Sequence, residues 1–192
     1  MDLWVEDVDP EQATGMAKHF YETVRLGPDG EIPKLVRAWS LQADVADSWL
    51  KHRDSAIAGS GLDDRQVEVL LTRTVYNFKC DYVTRNHAWI LLQQGHYTPE
   101  EVVQIVHDWQ HSVLDDKDKA LLAFGDKMCF ESHGVREEDI GELRRAGFTD
   151  SNIVAIAFLV GWMITDAVVP NAFGLGAGDV WTTEMQAVVD WE

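Results

Sequence analysis

EVLLTRTVYNFKCDYVTRNH, residues 68–87, is the stretch from which the fold and the chemistry of this chain are read. Its first half continues a helix capped by Asp63, which carries Val67, Leu70, Leu71, Thr74 and Val75 on one side. In its second half Cys80, Val83, Thr84 and His87 share a helical face, because a seven-residue step falls only about 20° short of two turns. Glu68 would stand about 120° away from Cys80 on an unbroken helix. It joins that face only if the helix breaks, and Asn77-Phe78-Lys79 is the plausible break. A His beside a Cys can favour a thiolate or exchange a proton with a bound molecule. The plainer alternative is that both pack in a core.

Helical punctuation continues on both sides of this stretch. Asp9-Pro10 is expected to open a helix running to Gly27, and Gly27-Pro28-Asp29-Gly30 to form a loop. Helices are expected over 32–40 and 43–58, ended by Gly59-Ser60-Gly61. Thr98-Pro99-Glu100-Glu101 is a capping box opening a helix to about Gln110. Asp115 or Asp116 opens another through Ser132, and 137–146 is a short amphipathic helix closed by Gly147. Thr149 or Asp150 caps a long apolar helix expected to reach Val169, before Pro170. No segment alternates with period two, and no turn dipeptide sits between strand-like runs. The expected fold is all-α, a single-domain bundle of about eight helices over residues 1–192, with a tail from 176 to 192.

Composition narrows the partners. The chain has 192 residues, 46% of them apolar, with eight Trp and a formal charge of −17. That is enough apolar matter for a core, which excludes disorder. Such acidity counts against nucleic acid and anionic membranes, since phosphate surfaces repel it. Residues 1–96 hold 10 basic and 15 acidic side chains and residues 97–192 hold 6 and 18, so the first half is the better place for chemistry on an anion. The first residues lack a basic segment followed by an apolar one, so no secretory signal is expected. The longest apolar run, 153–164, is short for a bilayer and is expected to be a core helix. Two cysteines are too few for a disulfide framework, which fits a reducing, cytoplasmic setting.

The stretch 68–87 resembles the core motif of the alkylhydroperoxidase D-like and carboxymuconolactone decarboxylase-like superfamily: a Glu, eleven residues, Cys-x-x-Cys, three residues and His. Glu68, Cys80 and His87 stand at the matching positions. Asp9-Pro10-Glu11, the segment 118–124, and 135–140 leading to Leu143-Arg-Arg-Ala-Gly-Phe-Thr-Asp150 extend the resemblance over most of the chain, as in the uncharacterised peroxidase-related branch. The chain departs from the motif at Val83, which replaces the second Cys, the thiol that meets peroxide in redox members. Tyr82 stands where a redox member carries a proton-relay His. The resemblance therefore implies the decarboxylase-like side, which works without the Cys pair and without a cofactor.

On that reading the chain is an acid–base enzyme acting on a small carbonyl or carboxylate substrate. His87 is the general base or acid, Glu68 orients it, Cys80 is a wall, donor or occasional nucleophile, and Tyr82 is a further proton donor if the helix distorts. Val83, Thr84, Trp162 and Asp166 are expected around the substrate, although Asp166 is equally readable as a satisfied polar group and Trp162 as plain core. The alternatives are a peroxidase-related protein using Cys80 alone and a non-catalytic oligomeric binding protein. The resemblance also implies a trimer or hexamer. Cys129 is expected to be an inert thiol. His107 and His111 have the i, i+4 spacing of metal ligands but no neighbouring third ligand, so no metal site is expected there. Gly174-Leu-Gly-Ala-Gly178 follows no strand and is a loop rather than a phosphate cradle. Arg73, Lys79 and Arg85 lie around the motif and could hold a substrate carboxylate or be surface ion-pair partners, although helical phase points Arg85 away from the Cys80–His87 face.

Overall fold

The longest helix organises the molecule. In the computed structural model, residues 3–24, 26–27 and 30–180 are described, and they contain nine α-helices and no strand. These are α1 (Gly15–Thr23), α2 (Lys34–Trp39), α3 (Ala43–Ser60), α4 (Asp64–Asn77), α5 (Asp81–Gln93), α6 (Pro99–Asp108), α7 (Asp116–Glu131), α8 (Glu137–Arg145) and α9 (Asp150–Ala172). Short 3-10 turns occupy Ser40–Gln42, Trp109–His111, Ser132–Gly134 and Ala177–Asp179. The all-α class expected from the sequence is correct. The ninth helix arises because residues 64–93 are two helices, separated at 78–80.

α9 has the length and apolarity of a membrane-crossing segment, yet here it packs on α3, α4, α5, α7 and α8. Ile156, Leu159, Val160 and Met163 are wholly buried along it. The approach of α3 is close because its last turn presents a glycine: a Cβ on Gly59 would lie 3.2 Å from the Cβ of Ala155. Behind this pair, α4 meets α7 through two polar clamps. Asp118, 1% exposed, accepts from Arg65 and from Gln66 Nε2 at 2.7 Å. Asp126 accepts from Arg73 Nη2 at 2.8 Å, Asn77 Nδ2 at 2.7 Å and Trp109 Nε1 at 2.8 Å. Buried Asp118 and half-buried Asp126 are thus both paired and hydrogen-bonded.

The caps follow side-chain chemistry. Asp63 with Gln66, Thr98 with Glu101, and Thr149 with Asn152 each form a reciprocal capping box, and Asp115 accepts from the Asp118 amide. Two expected boundaries are corrected. The Asp9 carboxylate accepts from Glu11 N at 2.9 Å and closes a turn, so α1 starts only at Gly15, after extended Thr14. Pro170 lies inside the last turn of α9 rather than beyond it. The helix runs two residues further, and its end is closed by the amides of Phe173 and Leu175 on the Pro170 carbonyl. Of the expected loop and tail, Pro28, Asp29 and residues 181–192 lie outside the described residues.

Candidate active site

The break between α4 and α5 decides which side chains meet. The amides of Phe78 and Lys79 fold back onto the carbonyls of Val75 and Tyr76 at 3.1 and 2.9 Å, and Lys79 takes the left-handed conformation, φ 53°. Cys80 is the N-cap residue of α5, which then packs back along α4. Glu68 and His87, nineteen residues apart, are thereby brought together: His87 Nδ1 lies 2.7 Å from Glu68 Oε2. Their side chains are 11% and 15% exposed, for His87 and Glu68 respectively.

Both line a cavity of about 360 Å³ walled by α2, α3, α4, α5 and α9. From α5 it receives Tyr82, Val83, Asn86, His87 and Ile90. Apart from Tyr82 these follow the i, i+3, i+4, i+7 stripe of one helical face. The face that reaches the cavity is thus turned from the expected Cys80–Val83–Thr84–His87 grouping. Cys80 precedes the helix, is wholly buried, and is not in the cavity wall. Thr84 is 1% exposed and is also absent from the wall; its hydroxyl donates to the Cys80 carbonyl at 2.7 Å. Val83 places methyl groups, not sulfur, on the wall.

α9 contributes Trp162 and Asp166. The Trp162 indole stacks on Trp49, with centroids 4.4 Å apart, and donates to the Trp49 carbonyl at 3.0 Å. Asp166 is 5% exposed, and its Oδ1 has no hydrogen-bond partner among the described residues. From α3 comes Arg53, whose guanidinium lies 5.6 Å from the Trp162 ring centre and 2.8 Å from Asp54 Oδ1.

Three groups carry shifted acidities. Burial pulls the His87 imidazolium down, but the charge and hydrogen bond of Glu68 outweigh it and leave the pKa above its ordinary value. Burial pushes Asp166 up to about 6, against the smaller pull of His87 and Arg53. Burial pushes the Cys80 thiol up to about 12, so it is not a thiolate near neutral pH.

Sequence reasoning did not single out Arg53 or Asn86. Asn86 was findable, since it belongs to the same stripe as Val83 and His87; its Oδ1 is buried without a partner. Arg53 had no local signal, because its place depends on how α3 docks on α9. The other basic candidates point elsewhere: Arg73 binds Asp126, Arg85 pairs with Asp81 at 2.8 Å, and Lys79 is exposed at the turn, none of them in the cavity wall. His107 Nδ1 lies 3.0 Å from the Tyr76 hydroxyl, whereas His111 Nδ1 lies 2.8 Å from Asp108. No group of three or more metal-ligating side chains occurs among the described residues. Cys129 is partly buried and, like Cys80, free.

Solved alkylhydroperoxidase D-like structures share this all-helical fold. Solved structures with this fold include the alkylhydroperoxidase AhpD core protein of Ralstonia eutropha JMP134, an uncharacterised peroxidase-related protein, at 23% identity over 82% of this chain and 80% of that one, TM-score 0.70. A second uncharacterised peroxidase-related protein, from Silicibacter sp. TM1040, matches at 23% identity over 76% of each chain, TM-score 0.69. The debrominase Bmp8 matches at 15% identity over 83% of this chain and 82% of its own, TM-score 0.67. No family profile and no curated protein matches the chain by sequence. At these identities the likeness establishes the fold, and one protein sharing it is an enzyme.

Proposed function

We propose that this chain is a cofactor-independent acid–base enzyme acting on a small carbonyl or carboxylate compound, in the manner of a decarboxylase, lyase or isomerase. The observation that carries the reading is the 2.7 Å Glu68–His87 pair on the wall of a cavity that also holds Asp166 and Arg53. His87 donates its Nδ1 proton to Glu68, which fixes the ring and presents Nε2 to the substrate. Nε2 takes a proton from carbon beside a carbonyl, and the electron pair moves to the carbonyl oxygen as an enolate. The imidazolium is stabilised by Glu68, and Arg53 is the cation available to the enolate. For a decarboxylation the carboxylate leaves as carbon dioxide, its electron pair forms the same enolate, and the imidazolium protonates carbon. The wholly buried Cys80, with its thiol held up to about 12, weighs against the single-thiol peroxidase alternative.

The test is proton exchange at carbon, followed by NMR in deuterated water over a panel of small keto and hydroxy acids. His87→Ala should lower exchange about a hundredfold or more, and Cys80→Ala should leave most of it. Full activity without His87, or peroxide-dependent turnover that vanishes in Cys80→Ala, would reverse the reading.

We propose further that the protein is a homo-oligomer, because Val154 and Phe158, one turn apart on α9, are 57% and 58% exposed. Light scattering after size exclusion should give a multiple of 21.7 kDa.

A further inference from the structure

Two residues of the cavity wall, Asp166 and Asn86, each hold a buried side-chain oxygen with no hydrogen-bond partner among the described residues. Asp166 is more than nine-tenths buried, and its Oδ1 meets no donor among the described residues. The Asn86 amide, one helix away on α5, also buries its Oδ1 unpaired. Buried polar atoms are almost always satisfied, and leaving one orphaned costs stability. Both residues line the same cavity as His87, so a molecule held there can supply the missing donor. The same wall carries aromatic and aliphatic side chains, Trp39 and Trp162 among them, beside its charged groups. Arg53, the cation at this wall, makes its ion pair with Asp54; its charge is felt at Asp166, but no hydrogen bond joins the two among the described residues.

We propose that Asp166 is a specificity-determining residue which, with Asn86, accepts a hydrogen bond from a hydroxyl of the substrate, so that the cavity selects hydroxylated or enolic carbonyl compounds over equally shaped ones that lack a donor. This deepens the acid–base assignment and rests on its premise that the cavity holds the substrate. A site of this kind discriminates strongly, because the molecule without the donor leaves the buried acceptors unpaired. With its pKa raised by burial only to about 6, Asp166 is a carboxylate at pH 7.5, and a donor from the ligand favours that form against burial.

Phenol and toluene test it, being matched in shape and differing only in the hydroxyl. Calorimetric titration of the intact protein at pH 7.5 should give phenol the tighter binding by about tenfold, although toluene is the more hydrophobic. In Asp166→Leu the order should invert, and in the isosteric Asp166→Asn the preference should shrink. Because the leucine variant can fail to fold, the carboxyl carbon resonance of Asp166 in the native protein supplies a second readout: it should move with phenol and not with toluene. Equal or tighter toluene binding in the native protein, or a phenol preference that survives Asp166→Leu, overturns the proposal. These are binding measurements, so their failure is separable from failure of the proton-exchange assay. A protein that binds phenol through Asp166 but shows no His87-dependent exchange retains this inference and loses the acid–base one.

Discussion

His87 is set by two opposed influences, and their removal one at a time has a definite sign. Burial disfavours the imidazolium, whereas Glu68, 2.7 Å away, favours it and prevails. A group whose folded pKa is raised contributes stability that is complete below its unfolded value, here near 6.5, and that is lost as pH rises through the folded value. In Glu68→Gln the shape persists but the anion is gone, leaving burial and the Arg53 charge to pull downward against Asp166. The imidazole of that variant should titrate below 6.5 by two-dimensional NMR of the ring protons. The limb of the activity profile that reports the free base should move to lower pH with it. A His87 titration unchanged by the substitution would mean that Glu68 is not its partner in solution.

At the scale of the element, the turn after α4 brings the pair together, and it was partly legible. The sequence marks Asn77-Phe78-Lys79 as a break, and the capping residues Asp63, Thr98, Asp115 and Thr149 mark four helix starts. What the sequence misplaced was Cys80: spacing alone assigns it to the His87 face, but as N-cap it precedes the first helical residue and is sealed in the core. Asp9 misled for a related reason, since the same short carboxylate that caps helices also closes turns. The turn itself carries strain in a residue with a Cβ, because Lys79 has φ 53°. The left-handed conformation costs an ordinary residue about 1–2 kcal/mol, offset in glycine by a larger entropy loss on folding. Lys79→Gly should therefore raise the unfolding free energy by roughly 0.5–1 kcal/mol, and Lys79→Val lower it by a similar amount. Urea denaturation followed by tryptophan fluorescence measures both, and no gain with glycine would show that the turn is relaxed in solution.

At the scale of the molecule, the cavity draws Arg53, Glu68, His87 and Asp166 from four helices. A single sequence shows which face of each helix is apolar but not which faces meet, so Asp166 was readable as either pocket or paired core, and Arg53 not at all. The docking of α3 on α9 resolves both, and it leaves Asp166 buried without a hydrogen bond to Oδ1. That arrangement has a price in global stability with a stated pH dependence. The folded pKa of Asp166, about 6, exceeds its unfolded value of 3.8. Below 3.8 the carboxyl is protonated in both states and no penalty exists. As pH rises from there to about 6, the unfolded state ionises freely while the buried native carboxyl stays protonated, and stability falls. One pKa unit corresponds to about 1.4 kcal/mol, so the full penalty above pH 6 is roughly 2–3 kcal/mol. His87, His-raised as Glu68 makes it, loses stability in the same direction through its own higher window, so the wild-type curve alone does not separate the two. The difference between wild type and Asp166→Asn does. The variant should be the more stable at pH 7.5, by roughly 1–3 kcal/mol, and the gain should vanish near pH 4. Thermal unfolding across that range measures it, and a variant less stable than wild type at pH 7.5 would place Asp166 in a structural hydrogen bond rather than at an open cavity wall.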